Sequence, residues 1–370
     1  MEMFTEGLKA FNAEYRGDRT VYTWVIGHTP PRHHGPAEEF MAAAAASCGR
    51  GRILLEHYCR TQPDEASARA HLGRFITDMF KSCREWYPPF PESAGVILGV
   101  FDHMPIISLR SHPEVDYKRY LDMQFNLLAN DPAFEGLPCT GVWGPQRADE
   151  ELYRWMFRLF RHYCVEGRTD MLSDAYRFAY IPGHLRNGDF RGSLDPWMAT
   201  GDVSVESVKE FGVNGEGRWK CAPGLGDTFA MLKRGDDGSA ASLRQTAVGL
   251  EVGRMYCLET LAFDAKDVRT GTFGACKVPL AVTLSDGAEI CANLSWTHDG
   301  RRNGRKVHGE THHICRHHIV FTAKAQQVDV ILSATDAPRG SEMGVNFVAL
   351  VPYFPGKPRS EGAVETKVMK

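Results

Sequence analysis

Two carboxylates end neighbouring apolar runs in the first half of the sequence, where acid–base chemistry could be carried out. Glu56 lies in the run RILLEHY at 52–58, and Asp102 ends the run GVILGVFD at 95–102. If both runs are parallel strands, their carboxyl ends meet at one edge of a sheet and the two side chains face one opening. Two carboxyl groups about 5–9.5 Å apart, one protonated and one ionised, are the arrangement that hydrolyses a glycosidic bond. Glu56 and Asp102 are therefore candidate catalytic residues. The structural alternatives are that Glu56 pairs with an arginine and that Asp102 caps a loop.

Two further side chains are predicted at the same edge. Trp143 ends a short apolar run, and His28 follows another. In barrel enzymes, the carboxyl ends of the strands carry the chemistry. Trp143 and His28 are therefore candidate substrate-binding residues, with core packing for the tryptophan and a loop position for the histidine as the alternatives. His57 is expected on the opposite face of its strand, because neighbouring strand residues alternate.

Four strand–helix units must position these residues. The strands are predicted at 20–27, 52–58, 95–102 and 140–144, and the helices at 36–48, 64–86, 113–129 and 148–164. Runs that are apolar on both faces are typical of parallel sheets covered on both sides. Four units form either a small doubly wound sheet or half of a (β/α)8 barrel, since about 250 residues hold eight units. No glycine-rich phosphate loop follows any of the strands, which disfavours a dinucleotide-binding sheet.

The second half changes from helical to strand-like periodicity near residue 183. Ten short strands are predicted there, at 202–208, 217–221, 228–233, 242–247, 254–264, 277–285, 288–294, 313–322, 328–334 and 345–352. Strands of this length and spacing, separated by Gly, Asp and Asn, favour a β-sandwich or jelly roll. The predicted fold class is a multidomain α/β plus all-β protein. Its predicted parts are a βα-repeat domain at 1–182, a sandwich domain at 183–356 and a flexible tail at 357–370.

The aromatic residues of the second half are the other candidates for sugar contacts. Trp197, Tyr256 and Trp296 are candidate substrate-binding residues, although most aromatic side chains in a sandwich belong to the core. Trp296 is the best of them, because SWTHDG at 295–300 resembles a turn in which an exposed tryptophan would need a reason. The basic loop at 301–306 follows it, either as a solvated loop or as a contact for an acidic glycan.

A histidine-rich strand in the same half raises the question of a metal. His313, Cys315 and His317 would share one face of a strand, and their side chains suit Zn²⁺. They span about 13 Å at a rise of about 3.3 Å per residue, so one ion could not reach all three. We therefore predict no metal ligands in this strand.

Composition and motif searches exclude several classes of function. The 370 residues carry 43 Lys and Arg against 46 Asp and Glu, for a net charge of −3, whereas nucleic-acid-binding proteins are usually basic. No apolar run reaches the roughly 20 residues of a membrane span, and the first residues do not resemble a secretory signal. The compartment is left open, cytoplasmic by default and extracellular or periplasmic if the chain is truncated at its N-terminus. The ten cysteines form no C-x-x-C pair and are expected to be mostly free and buried.

The first part resembles the C-terminal half of the catalytic barrel of clan-A-like glycoside hydrolases. In that family the eighth strand commonly ends in a tryptophan that lines the sugar site, as Trp143 does in GVWG. The seventh strand ends in the nucleophile, usually a glutamate, where this sequence has Asp102. The acid/base residue of the family lies after the fourth strand, which has no counterpart here. The resemblance implies a truncated barrel, a half barrel that pairs with a second copy, or a different α/β layer.

The second part resembles a jelly-roll carbohydrate-binding module. The matching segments are NGDF at 187–190, LDPW at 194–197, SLRQ at 242–245, GRMY at 253–256 and NF at 346–347. Their order and spacing fit that family over about 165 residues, with Asp195 and Pro196 in place of the usual small residue before the tryptophan.

Together the two resemblances imply a carbohydrate-active protein. It would bind an oligosaccharide or polysaccharide and hydrolyse it with two carboxylates. The alternative is a non-catalytic glycan-binding protein with a degenerate half barrel, and a weaker one is a protein-binding sandwich. The expected partners are a glycan and, if the half barrel pairs, a second copy as a homodimer. No nucleic acid and no membrane span are expected. No cofactor is required, and a structural Ca²⁺ in the jelly roll is compatible with the resemblance.

Overall fold

Helices dominate the first half of the molecule, and antiparallel strands dominate the second. The computed structural model describes residues 2–14, 22–25, 35–46, 51–101, 108–144, 148–207, 228–265, 279–301 and 313–356. Among these residues, no helix is both long and apolar enough to cross a membrane. The protein is thus of mixed α/β composition with substantial β content, in agreement with the predicted class.

The first half contains four parallel strands and the helices between them. The strands are β1 (Tyr22–Val25), β2 (Arg52–His57), β3 (Ala94–Gly99) and β4 (Cys139–Trp143). The helices are α1 (Glu2–Glu14), α2 (Gly35–Ala46), α3 (Glu65–Leu72), α4 (Asp78–Trp86), α5 (Phe90–Ser93), α6 (Tyr117–Asn130), α7 (Glu150–Phe160) and α8 (Leu172–Ala175). The strands pair in the order β1-β2-β3-β4, all parallel. The four predicted strand–helix units are confirmed, with the bounds of the strands shifted by a few residues.

Aspartate caps fix where the longer helices begin. Asp64 accepts a hydrogen bond from the Ser67 amide at α3, and Asp149 accepts one from the Leu152 amide at α7. Asp116 accepts a hydrogen bond from the Lys118 amide at the start of α6. Each carboxylate satisfies an amide that has no partner within its helix. These caps matter here because Asp116 and Asp149 also take part in the buried charges described below.

The two faces of the parallel sheet differ. One face packs against the helices, through side chains such as Ile53, Leu55 and Val96, in a single apolar core. The other face carries Glu56 and Trp143. Because side chains alternate along a strand, the register between strands decides which residues share this second face.

The second half forms two antiparallel sheets. Its strands are β5 (Met198–Thr200), β6 (Val203–Ser207), β7 (Thr228–Lys233), β8 (Ser242–Ala247), β9 (Met255–Asp264), β10 (Ala281–Leu284), β11 (Ala288–Ile290), β12 (Trp296–Arg301), β13 (His313–Ala323), β14 (Val328–Ser333) and β15 (Glu342–Pro352). One sheet has the order β10-β14-β8-β5. The larger has the order β11-β13-β9-β15-β7-β6, with β12 paired to β13.

A second apolar core lies between these two sheets. It contains Leu243 and Val330 from the smaller sheet and Tyr256, Leu258 and Val345 from the larger one. Nine of the ten predicted strands are therefore present, two with the predicted bounds and seven with shifted ends, and the prediction at 217–221 lies outside the described residues. The structure adds β5 and β12, and β12 corrects the turn predicted around Trp296. Its six residues pair with β13 instead.

The outer face of the larger sheet lies against the helical half. The Phe354 amide at the end of β15 donates to Glu151 of α7 at 2.6 Å, and Arg110 contacts Glu259 of β9. The Arg254 guanidinium also donates to the Tyr176 carbonyl oxygen at 2.8 Å. The two halves are therefore joined by polar contacts as well as apolar packing. The predicted domain limits at 182/183 and 356/357 stay predictions.

Candidate functional site

Glu56 and Trp143 lie on the same face of the parallel sheet, near the carboxyl ends of their strands. Glu56 pairs in register with Ile97, and Trp143 pairs with Gly99. Strands lie about 4.8 Å apart and rise about 3.3 Å per residue, which places the two Cα atoms roughly 12 Å apart. Trp143 is 48% exposed, whereas Glu56 is half-buried. About half of the tryptophan surface is thus exposed, on the face that also carries the carboxylate.

Neighbouring side chains fill the space above two glycines of this face. Gly141 of β4 lies in the same row as Glu56 and Ile97, and a Cβ atom on it would come within 3.0 Å of the Ile97 side chain. Gly99 lies in the same row as Trp143, and a Cβ atom on it would come within 3.0–3.2 Å of Tyr58 and Phe101. Apolar and aromatic side chains thus line the face between Glu56 and Trp143.

Tyr58 adds a hydroxyl group to this face. It follows β2 two residues after Glu56, and its ring meets Phe101 edge-on at 5.1 Å. Burial, and then the negative charge of Glu56, raise the pKa of Tyr58 well above its usual value. The hydroxyl therefore stays protonated at neutral pH, and its oxygen is buried beneath the surface of this face. Sequence reasoning missed Tyr58, although the alternation that places Glu56 on this face also places Tyr58 there.

The neighbouring histidines do not join this face within the described residues. His57 is buried on the helix-covered face, where its ring nitrogens lie 3.6 and 3.8 Å from the Cys59 sulfur. The expectation that His57 points away from Glu56 is confirmed. His28 and Asp102 lie outside the described residues, so their assignments stay predictions.

Two aromatic candidates of the second half lie in its core. Trp197 is 4% exposed and donates from Nε1 to the carbonyl oxygens of Arg186 and Asn187 at 3.1 and 3.2 Å. Tyr256 has no exposed surface, and its hydroxyl accepts a hydrogen bond from the Glu251 amide at 2.9 Å. Because neither ring reaches the surface, neither can stack on a ligand there.

Trp296 packs against protein side chains. Its ring stacks on His318 with centroids 4.7 Å apart and planes inclined by 7°, and Arg316 lies over it at 5.4 Å. Trp296 is only half-buried, so part of its surface is still accessible. Its main role in the structure is to hold the His318 ring.

Two of the three residues considered for a metal site on the histidine-rich strand β13 share one face. Cys315 and His317 are both buried and share the face toward the smaller sheet, while His313 begins the strand. Among the described residues, the one group of at least three His, Cys, Asp or Glu close enough for a metal ion is Cys257, Glu259 and His318. These residues belong to two strands, so the spacing of residues along a single strand does not predict the group.

Glu259 stands at the centre of a buried charge cluster between the two halves. Its carboxylate accepts hydrogen bonds from Arg316 at 2.7 Å, from Arg110 and from His318 at 2.9 Å. Both arginines also lie near Asp149, at 3.4 and 3.7 Å. Burial alone would raise the pKa of Glu259, but the two guanidinium groups outweigh it and hold the pKa well below its usual range. Glu259 is therefore ionised and fixes both arginines at the interface.

Lys118 forms a second buried charge cluster beside the first. Its ammonium lies 3.1 Å from Asp116 and 3.3 Å from Glu151, and all three side chains are at most 3% exposed. The Tyr117 ring lies between the clusters, with the Lys118 and Arg110 cations each 4.7 Å from its centroid. The two clusters thus form one continuous network.

A small cavity adjoins this network. It has a volume of about 50 Å³, and its lining includes Arg110, Tyr117, Glu259 and Phe347. A water molecule needs roughly 10–15 Å³ by this kind of measure, so the cavity holds a few waters but not a sugar ring. The cavity is therefore too small for a bound oligosaccharide.

Comparisons with known proteins identify distant structural neighbours only. No protein-family model and no curated protein matches the chain. Among solved structures, the carbohydrate-binding module TmCBM61 in complex with β-1,4-galactotriose is 14% identical, with a TM-score of 0.27, covering 46% of this chain and 97% of that one.

Two larger proteins are similarly distant. The enzymatically active domain of bacteriophage CBA120 tailspike protein 4 is 11% identical, with a TM-score of 0.29, covering 58% of this chain and 25% of that one. The arabinose-bound α-L-arabinofuranosidase MgGH51 is 12% identical, with a TM-score of 0.29, covering 47% of this chain and 27% of that one. This chain thus spans about a quarter of the length of these two. At such TM-scores, none of the three neighbours assigns a fold or an activity to this chain.

Proposed function

We propose that this protein binds an oligosaccharide or polysaccharide on the face of its parallel sheet that carries Glu56 and Trp143. The observation that carries the proposal is the exposed ring of Trp143 at the carboxyl end of β4, on the same face as Glu56. A sugar ring would place its C–H surface on the indole, and hydroxyl groups of the glycan would hydrogen-bond to the Glu56 carboxylate. The net charge of −3 suits a neutral glycan better than a strongly acidic one.

The proposed architecture is half of a (β/α)8 barrel followed by a jelly roll. Two observations support the first part: the strand order is sequential, and the helices cover one face of the sheet. In such barrels the chemistry lies at the carboxyl ends of the strands. Two antiparallel sheets around one core support the second part. The sandwich would hold a polymer near the sheet and raise its effective concentration there.

We expect Trp143→Ala to weaken glycan binding about 10- to 100-fold. Loss of a stacked aromatic surface costs about 1.4–2.8 kcal/mol, and each 1.4 kcal/mol is tenfold in Kd. A glycan array on the full chain selects the best neutral oligosaccharide, and isothermal titration calorimetry then compares the variants. Phe157→Ala is the matched control, because Phe157 is 66% exposed on α7 and lies outside the proposed site. Equal affinities of the two variants, or no glycan bound by the wild-type chain, would contradict the proposal.

Hydrolysis of the bound glycan is the second part of the proposal, favoured by the half-buried carboxylate of Glu56. With Asp102 as the second carboxylate, Glu56→Gln and Asp102→Asn should each lower sugar release by at least about 100-fold. A reducing-sugar assay measures this, with Glu85→Gln on the exposed side of α4 as the control. Binding without any sugar release, unchanged in both variants, would favour the alternative of a non-catalytic glycan-binding protein.

Cofactor and partner expectations complete the proposal. Stacking and carboxylate chemistry require no cofactor. A structural Ca²⁺ in the jelly roll stays a prediction. Ca²⁺ prefers oxygen ligands, whereas the group formed by Cys257, Glu259 and His318 also contains sulfur and nitrogen. Pairing of two half barrels into a homodimer also stays a prediction.

A further inference from the structure

Three potential metal ligands converge on the outer face of the larger sheet. Cys257 and Glu259 are two residues apart on β9, so their side chains point the same way. His318 lies on β13 directly opposite Glu259 in the antiparallel register. The Cys257 sulfur lies 3.3 Å from His318 Nδ1, and Nδ1 lies 2.9 Å from Glu259 Oε1. All three ligand atoms lie within 4.8 Å of one another, and all three residues are buried.

These separations are close to those of a zinc site. Zinc binds sulfur at about 2.3 Å and nitrogen or carboxylate oxygen at about 2.0–2.2 Å, so tetrahedral ligands lie roughly 3.3–3.7 Å apart. The separation between sulfur and Nδ1 matches, and the separation between Nδ1 and oxygen needs to widen by a few tenths of an ångström. The sulfur also lies 3.5 Å from His318 Nε2, so the imidazole ring must tilt for Nδ1 to face the ion. The mixed set of sulfur, nitrogen and oxygen suits Zn²⁺ rather than Ca²⁺ or Mg²⁺.

Stacking fixes the orientation of the histidine. The Trp296 ring covers one side of the His318 ring, with the two planes nearly parallel. A metal-binding imidazole needs such a fixed ring plane, which neighbouring groups usually provide. Because Trp296 and His318 are directly opposite each other on β12 and β13, sheet pairing maintains this arrangement.

The charge balance of the buried network also favours a cation. Within the described residues the network contains four carboxylates, Asp116, Asp149, Glu151 and Glu259, and three cations, Arg110, Lys118 and Arg316. With these seven groups ionised and His318, which also contacts Glu259, counted as neutral, four negative charges against three positive ones leave a net charge of −1. Buried charges are normally compensated. A zinc ion with one thiolate adds +1 and makes the network neutral.

We propose that Cys257, Glu259 and His318 form a structural Zn²⁺ site that joins β9 to β13 at the interface. On binding, Zn²⁺ forms bonds to the Cys257 sulfur, to His318 Nδ1 and to a Glu259 oxygen. The thiol proton leaves to solvent, and His318 carries its proton on Nε2. A water molecule takes the fourth position. Arg110 and Arg316 keep the other contacts of Glu259 and orient the carboxylate.

Metal analysis of the full chain tests this site. After purification and dialysis without chelator, mass spectrometry should find about one zinc per chain. Cobalt substitution should give the charge-transfer absorption of a thiolate–cobalt bond. Cys257→Ala and His318→Ala should lower zinc affinity at least 100-fold and remove the absorption or shift it. Cys315→Ala is the matched control, because Cys315 is also buried but points to the opposite side of the same sheet.

Metal uptake by the wild-type protein tests the proposal even if a variant fails to fold. A folded wild-type chain that takes up neither zinc nor cobalt at micromolar concentration would overturn the proposal. So would a cobalt derivative without thiolate charge transfer, or a folded Cys257→Ala variant that retains full affinity. Since glycan binding is measured separately on Trp143, failure of one proposal does not affect the other.

Discussion

Replacement of Lys118 by methionine should lower the free energy of unfolding by about 3–5 kcal/mol at neutral pH. The ammonium has no exposed surface and is the only cation within 3.5 Å of the Asp116 and Glu151 carboxylates among the described ion pairs. Without it, two buried carboxylates lose their charge partner, and breaking a buried ion pair costs about this much. Chemical denaturation followed by circular dichroism measures the change. Lys81→Met on the exposed side of α4 is the control and should change stability by less than about 0.5 kcal/mol.

The destabilisation by Lys118→Met should grow as pH rises. Burial raises the pKa of Asp116 and of Glu151 above their usual values, although Lys118 opposes the shift. Without Lys118 the pKa of each carboxyl group rises further. The folded variant then binds protons that the unfolded chain has released, so its stability falls as pH rises from about 4 toward these raised pKa values. A loss of stability that is equal at pH 5 and pH 8 would contradict this explanation.

Much of the secondary structure follows from local sequence patterns. The bounds of β7 and β8 match the predicted 228–233 and 242–247, because both runs are β-rich and end at Gly, Asp or Ser. The strand β12 was missed because its sequence WTHDGR contains Asp-Gly, a turn signal. Pairing with β13 overrides that local preference, and only the three-dimensional structure contains the partner strand.

The candidate sites differ in how far sequence could predict them. Glu56 and Trp143 were predictable, since alternation and parallel pairing place both on one face near the strand ends. The buried charge network could not be predicted from the sequence. Glu259 interrupts the apolar run of β9, and its partners Arg110 and Arg316 are separated from it by 149 and 57 residues. Lys118 lies in the first turn of a helix, where a lysine is usually solvated. Only the packing of the larger sheet against the helices brings these charges together.

Trp155 is the apolar counterpart of this network. Its ring has no exposed surface and packs edge-on against Tyr176, Phe178 and Phe354 at 5.1–5.5 Å. Its Nε1 donates a hydrogen bond to the Lys118 carbonyl oxygen at 2.9 Å. Since Phe354 follows β15 and Trp155 lies on α7, this contact joins the end of the sandwich to the helical half.

Trp155→Ala should therefore destabilise the protein by about 3–5 kcal/mol, the usual cost of truncating a fully buried tryptophan. Trp155→Phe should cost less, about 1–3 kcal/mol, because the ring contacts partly remain while the Lys118 carbonyl oxygen loses its donor. If the ring contacts also couple the two halves, Trp155→Ala should split a single thermal unfolding transition into two, as measured by calorimetry. Trp143→Ala, at an exposed position, is the control and should leave the transition within about 0.5 kcal/mol of wild type. Equal destabilisation by the alanine and phenylalanine variants would show that the hydrogen bond, not the aromatic packing, is what Trp155 contributes at this junction.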